Sequence, residues 1–241
     1  MQWSKLKPVL TGIALSAFAF GSHAAGLQIS PTGLSLPAKQ RAGIFTLTNT
    51  DSAPLTAQVR VYRWTQDENG QDVLTPTRDV IASPPMVKLA AGGVQQFRVI
   101  RAQPAKAAEE AYRLVVDELP APDKQPQKGL QFVLRYSVPL FLNQSEDPNT
   151  QLQWEAEASG GKVILKAKNI GAAHAQLSHI VFNRAADNTD KNLVAGLAGY
   201  ILPGKTGQYT LDISPAALRQ GQLSVTVNGR PTRPEVRFAA P

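Results

Sequence analysis

The sequence predicts an all-β protein made of two immunoglobulin-like β-sandwich domains. Three observations carry that expectation. From Leu27 onward the apolar residues alternate in short segments, the period of two that turns one face of a strand into a core. Pro, Gly, Asn and Asp interrupt the chain between these segments, as turns require. A polar stretch with a proline, "NQSEDPNTQ" at residues 143–151, divides two runs of segments about 115 and 100 residues long, each the size of one sandwich.

Residues 1–24 stand apart from this pattern. Lys5 and Lys7 precede an apolar run at 9–20 that closes on "SHA" at 22–24, the layout of a secretory signal cleaved after Ala24. The run is about a dozen residues, short of the roughly 20 that span a bilayer, and no later segment is longer, so no stable membrane insertion is expected. The short signal suits a bacterial envelope, and the mature chain is expected in the periplasm. It contains no cysteine. Its stability in an oxidising compartment must therefore come from buried cores, which a chain of this length can build.

In the first domain, residues 25–142, strands are expected at 27–36, 43–49, 56–65, 86–89, 94–100, 111–118 and 130–142. Asn69-Gly70 supplies the positive φ angles of a tight turn. "AAGG" at 90–93 and "PAPDKQPQKG" at 120–129 end two further strands. Only "PAKAAEEA" at 104–111 has helical composition, and it is expected to be a loop with one turn of helix. After the linker at 143–151, a second domain at 152–241 repeats the pattern, with strands at 152–158, 162–168, 175–184, 197–202, 207–213, 222–227 and 235–239. The turns "ASGGK", "PGKTG" and "VNGRP" fall between them.

The last strand of the first domain lies within "GLQFVLRYSVPLFLNQ", residues 129–144. Pro139 has no amide donor, and proline is confined to edges and bulges of sheets. Part of this strand is therefore expected at a sheet edge.

Catalytic chemistry finds little to stand on. His174 and His179 are the only histidines after the signal segment, five residues apart and outside any metal-ligand spacing, and neither metal nor cofactor is expected. A serine-nucleophile elbow, a phosphate-binding loop and a dinucleotide fingerprint are all missing. Glu109 with Glu110, and Asp117 with Glu118, are neighbours whose side chains leave a strand on opposite faces, so neither pair converges on a bond. Formal charge is +7, and +5 without Lys5 and Lys7. The basic residues are scattered, which together with export argues against nucleic acid as a partner. Aromatic residues make up 7% of the chain, too few to favour a carbohydrate-binding module with its clustered aromatic surface. The residues favour binding over catalysis.

Three motifs occur in order: "IASPPMVKLAAGGVQQFRVIR" (81–101), "YRLVVDELP" (112–120) and "LQFVLRYSVPLF" (130–141). On an exported chain of two sandwiches they resemble the periplasmic chaperones that assemble pili and fimbriae in the chaperone-usher pathway. The "RYSxPxF" form is similar to the divergent, archaic branch of that family. The resemblance implies two sandwiches joined at an angle with a cleft between them. It also implies donor-strand complementation: the last strand of the first domain pairs with an incomplete pilus or fimbrial subunit, which then passes to an outer-membrane usher.

On this sequence the resemblance implies a donor strand with Leu130, Phe132 and Leu134 as inserts, each worth roughly 1.5 to 3 kcal/mol when buried. The alternative is that these three fill the chain's own core. Arg98 is implied to point towards the interdomain cleft, with Glu109 near the acidic position that pairs with it. At the two positions where better-known members grip the subunit's terminal carboxylate with basic residues, this chain has Gly33 and Pro139. If that anchoring persists, Arg135 or Arg101 must supply the charged hydrogen bonds. One X-Pro bond of "SPP" at 83–85 is implied to be cis. Exposed edges imply self-association as one way of protecting the free protein. The competing reading is a two-domain structural or adhesive surface protein. A pilin, however, would carry a spare alternating strand ahead of its domain, and the first domain here is expected to begin within a few residues of Gly26.

Overall fold

The computed structural model describes residues 26–120, 133–144, 149–184 and 189–239. The signal segment 1–24, Leu130 and Phe132 lie outside the described residues. The first sandwich contains β1 (Leu27–Ser30), β2 (Leu34–Pro37), β3 (Ala42–Asn49), β4 (Leu55–Gln66), β5 (Asp72–Pro76), β6 (Val80–Ser83), β7 (Met86–Leu89), β8 (Val94–Arg101), β9 (Glu110–Leu119) and β10 (Arg135–Gln144). One of its sheets has the order β1-β3-β8-β6, the other β2-β10-β9-β4-β5, with β7 also paired to β4.

The second sandwich contains β11 (Leu152–Ser159), β12 (Lys162–Asn169), β13 (Ala175–Arg184), β14 (Thr189–Ile201), β15 (Thr206–Leu211), α1 (Pro215–Arg219), β16 (Gly221–Val227), β17 (Arg230–Thr232) and β18 (Val236–Phe238). Its sheets run β15-β12-β11-β18 and β14-β13-β16-β17. Each sandwich closes on its own core, the alternation expected of two apolar sheet faces. Phe45 and Phe97 stack at 5.4 Å in the first, amid Leu47, Val99, Leu114 and Leu140. Trp154, Leu165, Leu177, Phe182 and Val225 are among those that fill the second.

The expected strand at 27–36 is two strands on different sheets. β1 pairs antiparallel with β3, whereas β2 pairs parallel with the end of β10. The reason is legible in parity: Leu27 and Ile29 are inward at odd positions, and Leu36 is inward at an even one. A continuous strand would put these on opposite faces, so the chain breaks at Pro31 to Gly33 and crosses over. The Ser83–Pro84 bond is cis, as is Ser30–Pro31.

Four other differences matter. β5 and β6 are additional strands, and the exposed, alternation-poor β5 had no signal beyond the turn that precedes it. The segment 104–109 is loop without helix, and β9 begins at Glu110. The short helix α1 was not expected, although Ser214 caps it by accepting from Ala217 N–H and Pro215 occupies its first turn. Finally, β10 runs on to Gln144, so Asn143 belongs to the strand and not to the connection.

Phe97 is 1% exposed. Phe97→Ala is expected to lower stability by about 3–5 kcal/mol, read as a lower urea midpoint with an unchanged denaturant slope.

Candidate functional site

β10 is paired unequally on its two sides. β9 covers one side from Arg135↔Asp117 through Leu142↔Glu110. On the other side β2 covers only Leu140 onward. Among the described residues nothing pairs with that second side from Val133 to Pro139. Glu118 N–H donates to Leu134 O at 2.9 Å. Hydrogen-bonded pairs alternate in an antiparallel ladder, so even-numbered residues of this strand turn their backbone groups to β9 and odd-numbered ones turn them away. Pro139 is odd-numbered. Its missing N–H therefore costs no bond to β9, and Arg135 and Ser137 offer their backbone N–H and C=O groups at an open edge. The edge expected from Pro139 is present, and the proline sits at the end of it.

Side chains on this strand divide by the same parity. Val138, Leu140 and Leu142 are buried in the first core, and Leu134 and Tyr136 pack against it half-buried. The Tyr136 hydroxyl donates to Leu27 O at 2.5 Å, lacing the open edges of the two sheets together. Leu134 thus rests on its own sandwich in this structure. Arg135 and Ser137 are exposed.

Past Pro139 the strand enters a seam with the second sandwich. Phe141 stacks on the His174 ring with centroids 3.5 Å apart and planes 4° from parallel. The Glu109 carboxylate, 3% exposed, accepts from His174 backbone N–H at 2.8 Å and lies 3.1 Å from its Nδ1. Its neighbour Glu110 is held within the first sandwich by Lys106 at 2.7 Å and Arg63 at 3.1 Å. Burial pushes the Glu110 carboxyl up, but those two cations outweigh it and leave it below its ordinary range.

Trp64 completes the seam, packing edge-on to Tyr200 at 5.6 Å, with the Arg113 guanidinium 3.7 Å above its ring. Gln66, 4% exposed, donates to Tyr200 O at 2.8 Å and accepts from Leu202 N–H at 2.9 Å, imitating a strand neighbour with a side chain. The tip of the β4–β5 hairpin also touches the second sandwich. At Gly70, φ +77°, a Cβ would fall 2.4 Å from Thr206 O, so glycine is required both for the turn and for the contact.

Where β2 and β10 meet this seam, a cleft of about 310 Å³ opens, lined by Gly33, Pro139, His174, Gln176, Tyr200 and Asn228 among others. Gly33 and Pro139 adjoin one another: a Cβ on Gly33 would lie 3.5 Å from Pro139 Cγ. The two positions singled out in the sequence thus converge, and neither carries a charge. Sequence reasoning missed His174, Gln66, Trp64 and Tyr200. Only His174 carried a signal, and its spacing to His179 pointed nowhere because the true partner, Glu109, lies on another sandwich. Among the described residues no group of three His, Asp or Glu side chains is placed to hold a metal ion.

Two of the expected arginines are corrected. Arg98 does not join Glu109 in the cleft; it is exposed on the outer face of β8 and has no ion pair among the described residues. Arg101 is 5% exposed, its Nη1 donates to Asn143 Oδ1, and its Nε and Nη2 are buried without a partner. Facing inward on β8, it cannot reach a carboxylate outside. Arg135 remains at the surface, its side chain 69% exposed and its Nε bonded to Asp117. Burial pushes the Asp117 carboxyl up, yet the hydrogen bonds from Arg60 and Arg135 outweigh this and hold it below the usual carboxylate range.

Residues 26–145 match the family model described as pili and flagellar-assembly chaperone, PapD N-terminal domain. Among curated proteins no relative matches. Among solved structures, the chain is similar to one in the CsuC-CsuE chaperone-tip adhesion subunit pre-assembly complex from archaic chaperone-usher Csu pili of Acinetobacter baumannii, with 26% identity, 90% of this chain and 100% of that chain covered, and a TM-score of 0.66. The E. coli chaperone DraB shares the fold at 16% identity, covering 88% of this chain and 97% of its own, with a TM-score of 0.58. So does a chain of the Salmonella enterica SafA pilin complex with the SafB chaperone, at 13% identity, covering 88% and 94%, with a TM-score of 0.58.

Because the folded Asp117 is depressed, the stability it contributes is present above the unfolded carboxyl's value near ~3.9 and is lost as pH falls through the folded one. Thermal melts of the native chain and Asp117→Asn are expected to differ at pH 6 and to converge towards pH 2.

Proposed function

Since this chain belongs, through residues 26–145, to the family of pili and flagellar-assembly chaperones, we propose that it captures incomplete pilus subunits on the open edge of β10 and delivers them, in the periplasm, to an outer-membrane usher. Donor-strand complementation is the established form of β-strand addition between such chaperones and pilins, and it is applied here to this chain. The observation that carries the reading is the half-paired β10. A strand with one side committed to β9 and the other open from Val133 to Pro139 is an edge that proteins ordinarily cover.

The mechanism follows from the ladder. A subunit strand laid along this edge takes its main-chain bonds from Arg135 and Ser137, and side chains of the segment before Arg135 fill the subunit's groove. Leu130 and Phe132 share the parity of Leu134 and make the natural inserts beside it. At Pro139 the ladder stops for want of a donor. The incoming strand therefore ends at the Gly33–Pro139 cleft, which holds its terminus through hydrogen-bonding groups of Tyr200, Gln176 and Asn228 instead of a lysine or arginine. Arg135 is the one cation of the original pair still able to meet a subunit carboxylate, further up the same edge.

The chain co-expressed with its pilus subunits is expected to yield a one-to-one complex; none forming would favour the structural or adhesive reading. Ser137→Pro removes an edge-facing N–H without touching the β9 ladder, so it should reduce subunit affinity at least tenfold while the melting temperature stays within a few degrees, and Ser137→Ala should leave both unchanged. Leu134→Glu tests the insert: loss of capture by a folded chain supports it, whereas capture retained by an unstable one assigns Leu134 to the chain's own core.

A further inference from the structure

In the cleft beside Gly33 and Pro139 the chain's own hydrogen bonds leave a definite set of polar groups unused. Its polar side chains are those of Ser35, His174, Gln176, Tyr200 and Asn228, with no lysine, arginine, aspartate or glutamate among them. Gln176 Nε2 donates to the Tyr200 hydroxyl oxygen at 2.8 Å. That leaves the Tyr200 O–H as a donor and Gln176 Oε1 as an acceptor, neither with another partner among the described residues. Turning the Gln176 carboxamide over exchanges the two roles, and the pair still offers one donor and one acceptor, both uncharged.

The remaining groups are mostly acceptors. Asn228 Oδ1 accepts from Gln176 backbone N–H at 2.7 Å and keeps its second lone pair, whereas Asn228 Nδ2 is spent on Thr150 Oγ1 at 3.1 Å and His174 O at 3.4 Å. His174 turns Nδ1 to the Glu109 carboxylate, so its neutral ring keeps Nε2 as an acceptor, and the charge of any proton gained there is cancelled by that carboxylate. Ser35 can act either way. Cations stay outside. The Arg113 guanidinium, 5.5 Å from the Tyr200 ring centroid, is seated over Trp64 and bonded to Asp72 at 3.1 Å. Arg135, further up the strand, is bonded to Asp117.

The geometry points to an uncharged carboxamide as the group this cleft receives from the end of a captured strand: its C=O accepts from the Tyr200 O–H while its N–H donates to Gln176 Oε1. The inference rests on the reading of β10 as the capturing edge and names the chemistry of the strand end held there. A carboxylate suits these groups poorly. It carries acceptors only, so it sets oxygen against Gln176 Oε1 and Asn228 Oδ1, and it gives up water without gaining a cation. A site that pairs an N–H rejects the analogue lacking it, because its own acceptor is then left unpaired. The carboxamide can be a backbone peptide bond or a terminal or side-chain amide, since both present the same C=O and N–H.

The test titrates synthetic peptides copying the last strand of the pilus subunit into the full chain. One ends in its free carboxylate, one in a carboxamide, and one continues into a short alanine extension that puts a peptide bond in the same place. The amidated or the extended peptide is expected to bind at least tenfold more tightly than the free acid, the first if the cleft takes a terminal or side-chain amide and the second if it takes a backbone one. In the double variant Tyr200→Phe, Gln176→Leu, which removes both groups and keeps the aromatic ring, that preference is expected to vanish. A free acid that binds the native chain as tightly as both other peptides overturns the inference, and so does a preference that survives in the double variant. Either result leaves the capture reading standing as long as the native chain forms its one-to-one complex with the whole subunit. Absence of that complex removes the capture reading itself, and with it this inference.

Discussion

Everything in the first sandwich that bears on the proposed function depends on β10 being paired on one side only as far as Pro139, before β2 joins it at Leu140. Its ladder to β9 runs through eight consecutive registered pairs, and β2 adds a second neighbour only from Leu140. The alternation of an antiparallel ladder then assigns each residue a direction. Even positions commit their backbone to β9 and their side chains to the core; odd positions up to Pro139 leave their backbone groups at the open edge. Proline at 139 is tolerated because it falls on the odd set, where its missing N–H takes no bond from β9, and in the proposed function it marks the point at which an added strand would stop.

The seam with the second sandwich begins just past Pro139. Phe141, two residues beyond Pro139, is clasped by His174, which Glu109 holds in turn. Gln66 and the Gly70 hairpin tip bind the second sandwich from the other flank. Contacts at both ends resist opening and twisting, so the cleft beside Gly33 and Pro139 has a defined shape. Most of its polar side chains come from the second sandwich, which is how a chain lacking two basic residues at these positions still presents hydrogen-bonding partners there. Arg101, which invites a role as an anchor when only its charge is considered, serves inside the fold by holding Asn143 at the end of β10.

Much of the architecture was readable because strand period and turn chemistry are local properties. The positions of Asn69-Gly70, the polar break near 143–151 and the edge signal of Pro139 all follow from a few adjacent residues. Even the error at 27–36 had its cue in the change of apolar parity between Ile29 and Leu36. The site was less legible. Arg98 and Glu109 look like a pair when residue types are matched to a family, yet a β-strand's outward or inward facing is decided by register, and register placed them apart.

The sequence by itself determined the two sandwiches, the family, and the existence of an unpaired edge at Pro139, since each rests on alternation, turns or ordered motifs along the chain. Only the tertiary structure decided which arginine is buried, which histidine meets Glu109, and that Gly33 and Pro139 line one cleft. Those outcomes join residues far apart in the chain, such as those beside β2 and within β10, and no local pattern records which of them will meet.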